Sequence, residues 1–409
     1  MQGQGGERHF ALLLILYTIL KQREGQKMKK VLALPFIFLL SLLLCSCNTA
    51  DSQKDIEKDT NTPDIASQGK TAHGSKLLEP YADVRGIGET ITLKPGEYNT
   101  KDINTYWFNQ NTNFEGNEEL AAKILENGKA PGLNVSKLHA QGITGKNVTV
   151  AIIDQPLLPD HPEYTGKIVK YHTVGLTEND SKGSMHGPAV ASLLAGNTIG
   201  TAPDVKLYYV ALKFWDRTAP SMTAQALDWL IGQNKELPDS DKIRAVSISA
   251  DLTNSDNFDN HGDYDEAVKR AQDAGILVLD CRKDFDTCVF WPSFFDPEHR
   301  DDITQSKIGT PDGDFQECPP QALGTPVGYR TTAEAYQEGE YSYSYDAIGG
   351  HSWAIPYGTG ILALGWQINP SLTGTRMITL MRETAYENAD GDLFIDPSAF
   401  IDAVRSTLQ

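Results

Sequence analysis

The sequence predicts an α/β fold of three layers, a mostly parallel β-sheet flanked on both faces by helices. Three observations carry this expectation. From residue 147 onward, stretches of strand character alternate with stretches of helical character, the pattern of a parallel sheet with crossover helices. Apolar residues make up 40% of the chain, ample for a sizeable core, and 409 residues leave room for a single large α/β domain with flanking segments. The polar motifs that could carry chemistry fall at the ends of expected strands, where parallel sheets gather their sites.

Strands are expected near 148–154, 205–212, 243–249 and 275–281. Helices should start near His186, Met222, Tyr264 and Ser352, with later ones over 375–385 and 397–407. Ahead of this body, residues 76–130 contain strand-like pieces at Thr90–Leu93 and Thr105–Phe108 and a helix-like stretch over Asn117–Asn127. They read as a small prodomain or an N-terminal extension packed on the body, which itself occupies 131–409. No repeat period is visible. No Gly-x-Gly-x-x-Gly or Walker-type loop competes for the site, and the lack of a phosphate-cradling loop sets aside a nucleotide-binding protein.

The N-terminus carries two apolar runs, Phe10–Leu20 and Val31–Cys45, each short for a membrane-spanning helix. The second follows Met28-Lys29-Lys30, the layout of a secretory signal, and closes on Leu44-Cys45-Ser46-Cys47, which resembles a bacterial lipobox. Residues 1–46 are therefore read as a leader and lipoprotein signal peptide with the start at Met28, and Cys47 as the lipidated first residue of the mature chain. Residues 47–75, rich in Asp, Lys, Ser, Thr and Gln, read as a disordered spacer from the membrane.

The net charge is −18. Without residues 1–46 the chain keeps 30 basic and 52 acidic residues, a net of −22. That balance opposes nucleic-acid binding and attachment to an anionic membrane by charge, so the lipid must do any anchoring. Beyond Cys45 and Cys47 only Cys281, Cys288 and Cys318 remain. One pair at most can form within the chain: Cys281 with Cys288 would close a small loop, and three free buried thiols are the other reading. No second Cys/His pair has the spacing of a zinc site.

The segment richest in chemical information is Gly349-Gly350-His351-Ser352-Trp353-Ala354-Ile355-Pro356, a serine between a glycine turn and a small-residue helix start. A hydroxyl placed there meets free backbone N–H groups that favour developing negative charge. Upstream, Val150-Ala151-Ile152-Ile153-Asp154 offers a carboxylate at a strand end, and Met185-His186-Gly187-Pro188 a histidine at a helix start. Singly, each is more often a cap or a turn residue. Together they supply a nucleophile, a base and a group to orient the base, in the order Asp, His, Ser.

With these motifs the chain resembles the subtilisin-like serine peptidases from about residue 130 to its C-terminus. The separations of 32 positions from Asp154 to His186 and 166 from His186 to Ser352 suit that family. Leu138–Gly145 looks like its entry into the aspartate strand, Ile199–Pro203 like its Gly-x-Ala-Pro turn, and Val246–Ser249 like its substrate-binding strand. The resemblance implies a serine endopeptidase with Asp154, His186 and Ser352 as triad and a polypeptide substrate lying along Ser249, Ala250 and Asp251, and the lipobox at Cys47 would place it at the bacterial cell surface. Asp251 and Asp280, if they face the specificity pocket, would favour a basic residue before the cut. No cofactor is implied; relatives often hold calcium in surface loops, but no ligand spacing here assigns one.

Two departures stand out. The family places an asparagine at the oxyanion site, and counting from Gly275 brings Asp284 to that position; an aspartate donates only when protonated. Activity routed through a protonated Asp284 should rise as pH falls until His186 is charged. His351 stands where the family usually has threonine. The altered oxyanion segment and an unusual insertion from Cys281 to Cys318 leave a second reading, a subtilisin-like pseudoenzyme that binds peptides or a surface protein with little or no turnover.

Overall fold

The computed structural model describes residues 77–408, apart from 254–255, 285–286 and 315–316. The leader 1–46, the spacer 47–75 and Cys47 lie outside the described residues. Among the described residues no helix is long and apolar enough to cross a membrane.

The segment ahead of the body contains β1 (Ile91–Leu93), a 3₁₀ turn over Thr100–Thr105, β2 (Phe108–Asn109), β3 (Thr112–Phe114) and α1 (Glu118–Asn127), and the body opens with α2 (Val135–Ala140). Glu118 and Glu119 place negative charge in the first turn of α1, which suits the helix dipole, and Ala121 and Leu125 bury one face at i, i+4. The strand expected over 105–108 is reduced to Phe108–Asn109, because the preceding 3₁₀ turn takes Thr105 and is closed by the Tyr106 amide donating to the Ile103 carbonyl.

The body is built on a five-stranded parallel sheet. Its strands are β4 (Thr149–Asp154), β5 (Ile168–Val174), β6 (Lys206–Leu212), β7 (Ile243–Ile248) and β8 (Leu277–Asp280), in the order β5-β6-β4-β7-β8. Alternation along each strand divides the apolar residues between two cores. Val150, Ile152, Leu207, Tyr209 and Ala211 pack on one face, with α3 (His186–Ala195) and α6 (His351–Ile368). Ala151, Ile153, Tyr208, Val210, Val246 and Ile248 pack on the other, with α4 (Ala219–Glu236) and α5 (His261–Asp273). Both faces are covered, which gives the three expected layers. Because β4 is the middle strand, Asp154 emerges at the centre of the sheet's carboxyl edge, where crevices form.

The helices begin slightly before the expected positions, at Ala219 rather than near Met222 and at His261 rather than near Tyr264. Their first turns are polar or small and carry little apolar periodicity. The edge strand β5 was not expected. Its residues Ile168-Val169-Lys170-Tyr171-His172-Thr173-Val174 are mostly half-buried or exposed, since one side of the strand has no neighbour.

A second, mixed sheet contains β9 (Phe290–Phe294), β10 (Lys307–Ile308), β11 (Leu323–Pro326), β14 (Tyr386–Glu387) and β15 (Leu393–Phe394), near α7 (Gly374–Glu383) and α8 (Pro397–Ser406). Between them in sequence lies a hairpin of β12 (Arg330–Gln337) and β13 (Glu340–Asp346). The N-terminal strand β2 pairs with β13, Tyr345 opposite Phe108. Phe108, Phe114, Tyr98, Tyr106 and Tyr345 close a core there, and Arg85 and Asn109 reach the buried Glu334 of the hairpin at 3.7 and 2.8 Å.

Cys281, Cys288 and Cys318 are free thiols. Cys288 and Cys318 share a small apolar cluster with Trp291 and Ala322, and burial pushes both thiols up to about 12.

Candidate active site

Asp154, at the end of β4, is fully buried. Its Oδ1 accepts from the Gln155 amide at 2.8 Å and pairs with His186 Nδ1 at 2.7 Å. His186 is the first residue of α3. The helix can approach this closely because residue 187 is glycine: a Cβ there would lie 2.4 Å from the Gln155 carbonyl oxygen and 2.7 Å from the Tyr209 hydroxyl. Tyr209, which donates to that same carbonyl, is raised well above the ordinary tyrosine pKa by burial and then by the Asp154 charge. The Gly187 amide donates to Ser184 Oγ, satisfying one of the orphan donors at the helix start.

The serine is set by the start of α6. Gly349 has φ +70°, and a Cβ there would lie 2.2 Å from the Val327 carbonyl oxygen, so the turn excludes side chains. Asp346, buried before the turn, accepts from the amides of Ile348 and Gly349 at 2.9 and 3.0 Å. His351 is 6% exposed, its Nε2 bonded to the Phe290 carbonyl at 2.8 Å. It anchors the helix start to β9 instead of facing reactants.

Pro356 within α6 has no amide hydrogen, so the Ser352 carbonyl four residues earlier lacks its helical donor. Ser249 Oγ fills the gap at 2.9 Å. In return Ser352 Oγ donates to the Ser249 carbonyl at 3.2 Å. The next side chain, Trp353, lies against His186 with ring centroids 5.4 Å apart and a 33° angle, while the exposed Trp215 meets the imidazole edge-on at 6.1 Å. Thus Asp154 and His186 are joined directly, α6 sets Trp353 against the imidazole, and the serine hydroxyl rests on Ser249.

Other expected site residues are engaged elsewhere. Ala250 gives its amide to Ile248 and its carbonyl to Cys281 N. Asp251 accepts from the amide and hydroxyl of Thr253 at 3.1 and 2.6 Å. Asp280 is gripped by Arg282, Nε at 3.0 and 2.9 Å and Nη2 at 2.9 Å, and by the Tyr264 hydroxyl at 2.5 Å. Of the two carboxylates expected to favour a basic residue, Asp280 is thus already paired with a cation, whereas the partners of Asp251 are neutral and leave its charge in place. Asp284 is exposed, and its carbonyl closes a turn by accepting from the amides of Thr287 and Cys288 at 3.2 and 2.9 Å.

Three features were missed in the sequence. The Ser249–Ser352 exchange was signalled only by Pro356, four residues after the serine. Trp353 was visible as an aromatic next to the nucleophile. Asp346 carried no signal, since its role depends on a turn closing over it.

Residues 145–281 match the Subtilase family of S8 peptidases. The chain is 27% identical over 279 residues to Subtilisin-like protease PopC of Myxococcus xanthus, covering 60% of this chain and 57% of that protein. It is 24% identical over 325 residues to Subtilisin NAT of Bacillus subtilis subsp. natto, covering 76% of this chain and 78% of that one. Among solved structures, fervidolysin from Fervidobacterium pennivorans, described as a keratinolytic enzyme related to subtilisin, matches with a TM-score of 0.50 at 16% identity. That match covers 66% of this chain and 44% of fervidolysin, and it shows a shared fold. The chain spans little more than half the length of the Myxococcus relative.

Proposed function

We propose that this chain, whose fold and matched segment are those of the subtilisin-like serine peptidases, is an endopeptidase that cleaves polypeptides through Asp154, His186 and Ser352. The reading rests on the buried 2.7 Å pair of Asp154 and His186 set beside the start of the helix that carries Ser352.

Substrate binding and activation are coupled in this reading. The Ser249 carbonyl that holds the resting hydroxyl lies on the substrate-binding segment. A substrate N–H docking on that carbonyl displaces the hydroxyl, which then turns to His186. Pairing further along falls to Asp251 and its successors, since both backbone groups of Ala250 are engaged. His186 takes the Ser352 proton as the oxygen attacks the carbonyl carbon, and Asp154 stabilises the imidazolium. The Ser352 N–H, at the open end of α6, faces the developing oxyanion. His186 then protonates the leaving amine, and water releases the acyl group by the reverse steps.

Asp284 is the second oxyanion group in this proposal and needs its proton to donate. Loss of one such donor lowers turnover by roughly 100- to 1000-fold, so a slow enzyme is the expected outcome. We place it outside the cytoplasm, tethered to the bacterial membrane by lipid on Cys47. The pseudoenzyme reading draws on the rest position of the Ser352 hydroxyl, which bonds to Ser249.

Fluorophosphonate labelling of the purified full chain, beside Ser352→Ala and His186→Ala, separates the two. Labelling lost in both variants establishes an activated serine. A folded native chain that stays unlabelled across a broad pH range overturns the peptidase reading. Release of a lipid-modified N-terminal peptide beginning at Cys47 tests the anchor.

A further inference from the structure

Arg330, the first residue of β12, has no exposure to solvent. Its Nη2 donates to the Ile199 carbonyl at 3.1 Å, and its guanidinium lies 5.7 Å from the ring centre of Tyr357 on α6. Nε and Nη1 have no partner, and neither does the Tyr357 hydroxyl. The charge that acts on it is that of a second cation, Arg300, and Tyr357 feels the charge of Asp301. Arg300 gives Nη1 to the Tyr329 carbonyl at 2.9 Å and leaves its own Nε unpartnered.

Burial lowers the Arg330 pKa to about 10. At neutral pH the group therefore keeps its charge. A buried charge without a counter-charge is strongly unfavourable, and a second guanidinium in the same low-dielectric region adds repulsion. Water could satisfy the free N–H groups but brings no charge. A carboxylate of this chain would supply both, yet among the described residues none forms an ion pair with Arg330. A small anion would meet both needs, supplying the charge and accepting from the unpartnered guanidinium N–H groups and phenolic O–H.

We propose that Arg330, with Arg300 and the Tyr357 hydroxyl, holds a small monovalent inorganic anion of about the size of chloride. The site sits behind the nucleophile helix: Tyr357 is one residue beyond Pro356, and its carbonyl accepts from Thr201 Oγ1 at 3.2 Å. An anion there ties β12, the Ile199 turn and α6 together and steadies the element that carries Ser352.

The test is thermal unfolding of the full chain in sodium chloride or bromide against sodium gluconate at equal concentration, gluconate being too large to enter. The expected result is a midpoint higher in halide, by about 3 °C at saturation, with a dependence on halide concentration that levels off. Arg330→Met should abolish the difference, and Tyr357→Phe, which keeps both cations, should weaken it. Should Arg330→Met fail to fold, Tyr357→Phe and the anomalous signal of bromide in crystals decide the matter. Coincident midpoints for the native chain in halide and gluconate overturn the proposal. So does a halide gain unchanged in Tyr357→Phe together with no bromide peak beside Arg330.

Discussion

Ser249 and Ser352 exchange hydrogen bonds: each hydroxyl donates to the other's main-chain carbonyl, at 2.9 Å from Ser249 Oγ and 3.2 Å from Ser352 Oγ. The exchange follows from Pro356, whose missing amide leaves the Ser352 carbonyl without a helical donor. One bond fixes the backbone of Ser352, and the other parks its hydroxyl on the segment that the proposed function assigns to substrate binding.

Ser249→Ala removes the first bond and leaves the second. The loss should lower stability by about 1 kcal/mol, while the rate of fluorophosphonate labelling falls about tenfold because the nucleophile's carbonyl is no longer fixed. A labelling rate equal to that of the native chain would show that Pro356 is compensated elsewhere.

Trp353 and His186 provide the next expectation. The indole, 5% exposed, lies at 33° and 5.4 Å from the imidazole, so in the proposed mechanism its π face would attract the imidazolium formed as Ser352 attacks. Trp353→Leu keeps the apolar cover but removes the quadrupole, and should slow labelling about threefold, the equivalent of ~0.5–1 kcal/mol. Trp353→Phe should retain most of the native rate. Equal rates in the Leu and Phe variants would leave the indole with a packing role only.

Much of this arrangement was legible in the sequence because it is local. The run Val150–Asp154 names both a buried strand and the carboxylate at its end. His186-Gly187 names a helix start that a Cβ would push away from Gln155. What was illegible depends on long-range pairing. Phe108 meets Tyr345 across more than 200 residues, and neither neighbourhood advertises the other. The edge strand β5 lacks the apolar run of a central strand because it has only one neighbour. Asp280 looked free by position, yet Arg282 and Tyr264 had already claimed it. Carboxylate availability is a property of neighbours, which spacing does not reveal.

His351 makes the fold acid-sensitive. Burial lowers its pKa to about 4, against about 6.5 in the unfolded chain. Between those values the unfolded chain binds a proton that the native chain refuses. The stability is therefore present above pH 6.5 and lost as pH falls toward 4, by about 3 kcal/mol in all. Burial also lowers His139 and His161, which act in the same direction. Urea midpoints at pH 7 and pH 4.5 should differ strongly in the native chain and less in His351→Thr. An equal difference in both would assign the acid sensitivity to other groups. Any rise in activity through a protonated Asp284 must compete with this loss.

Arg85 and Glu334 join the N-terminal segment to the body, and they decide whether residues 76–130 can be shed. Glu334 is 1% exposed and accepts from Asn109 Nδ2 at 2.8 Å, the Tyr336 hydroxyl at 3.0 Å and Ser342 Oγ at 3.2 Å, with Arg85 Nη1 at 3.7 Å. Arg85, stacked 3.4 Å over Trp107, is also bonded to Asp83. Removing the arginine leaves the glutamate buried with donors but without a cation. Arg85→Met should therefore destabilise the protein by about 3 kcal/mol. Glu334→Gln keeps the shape and removes the charge, and combining it with Arg85→Met should recover part of that loss. A chain beginning at residue 131 would lose Arg85 and Asn109 together, along with β2, the partner of β13. It should be insoluble when expressed alone. A soluble, cooperatively unfolding product from residue 131 would instead mark 76–130 as a detachable prosegment.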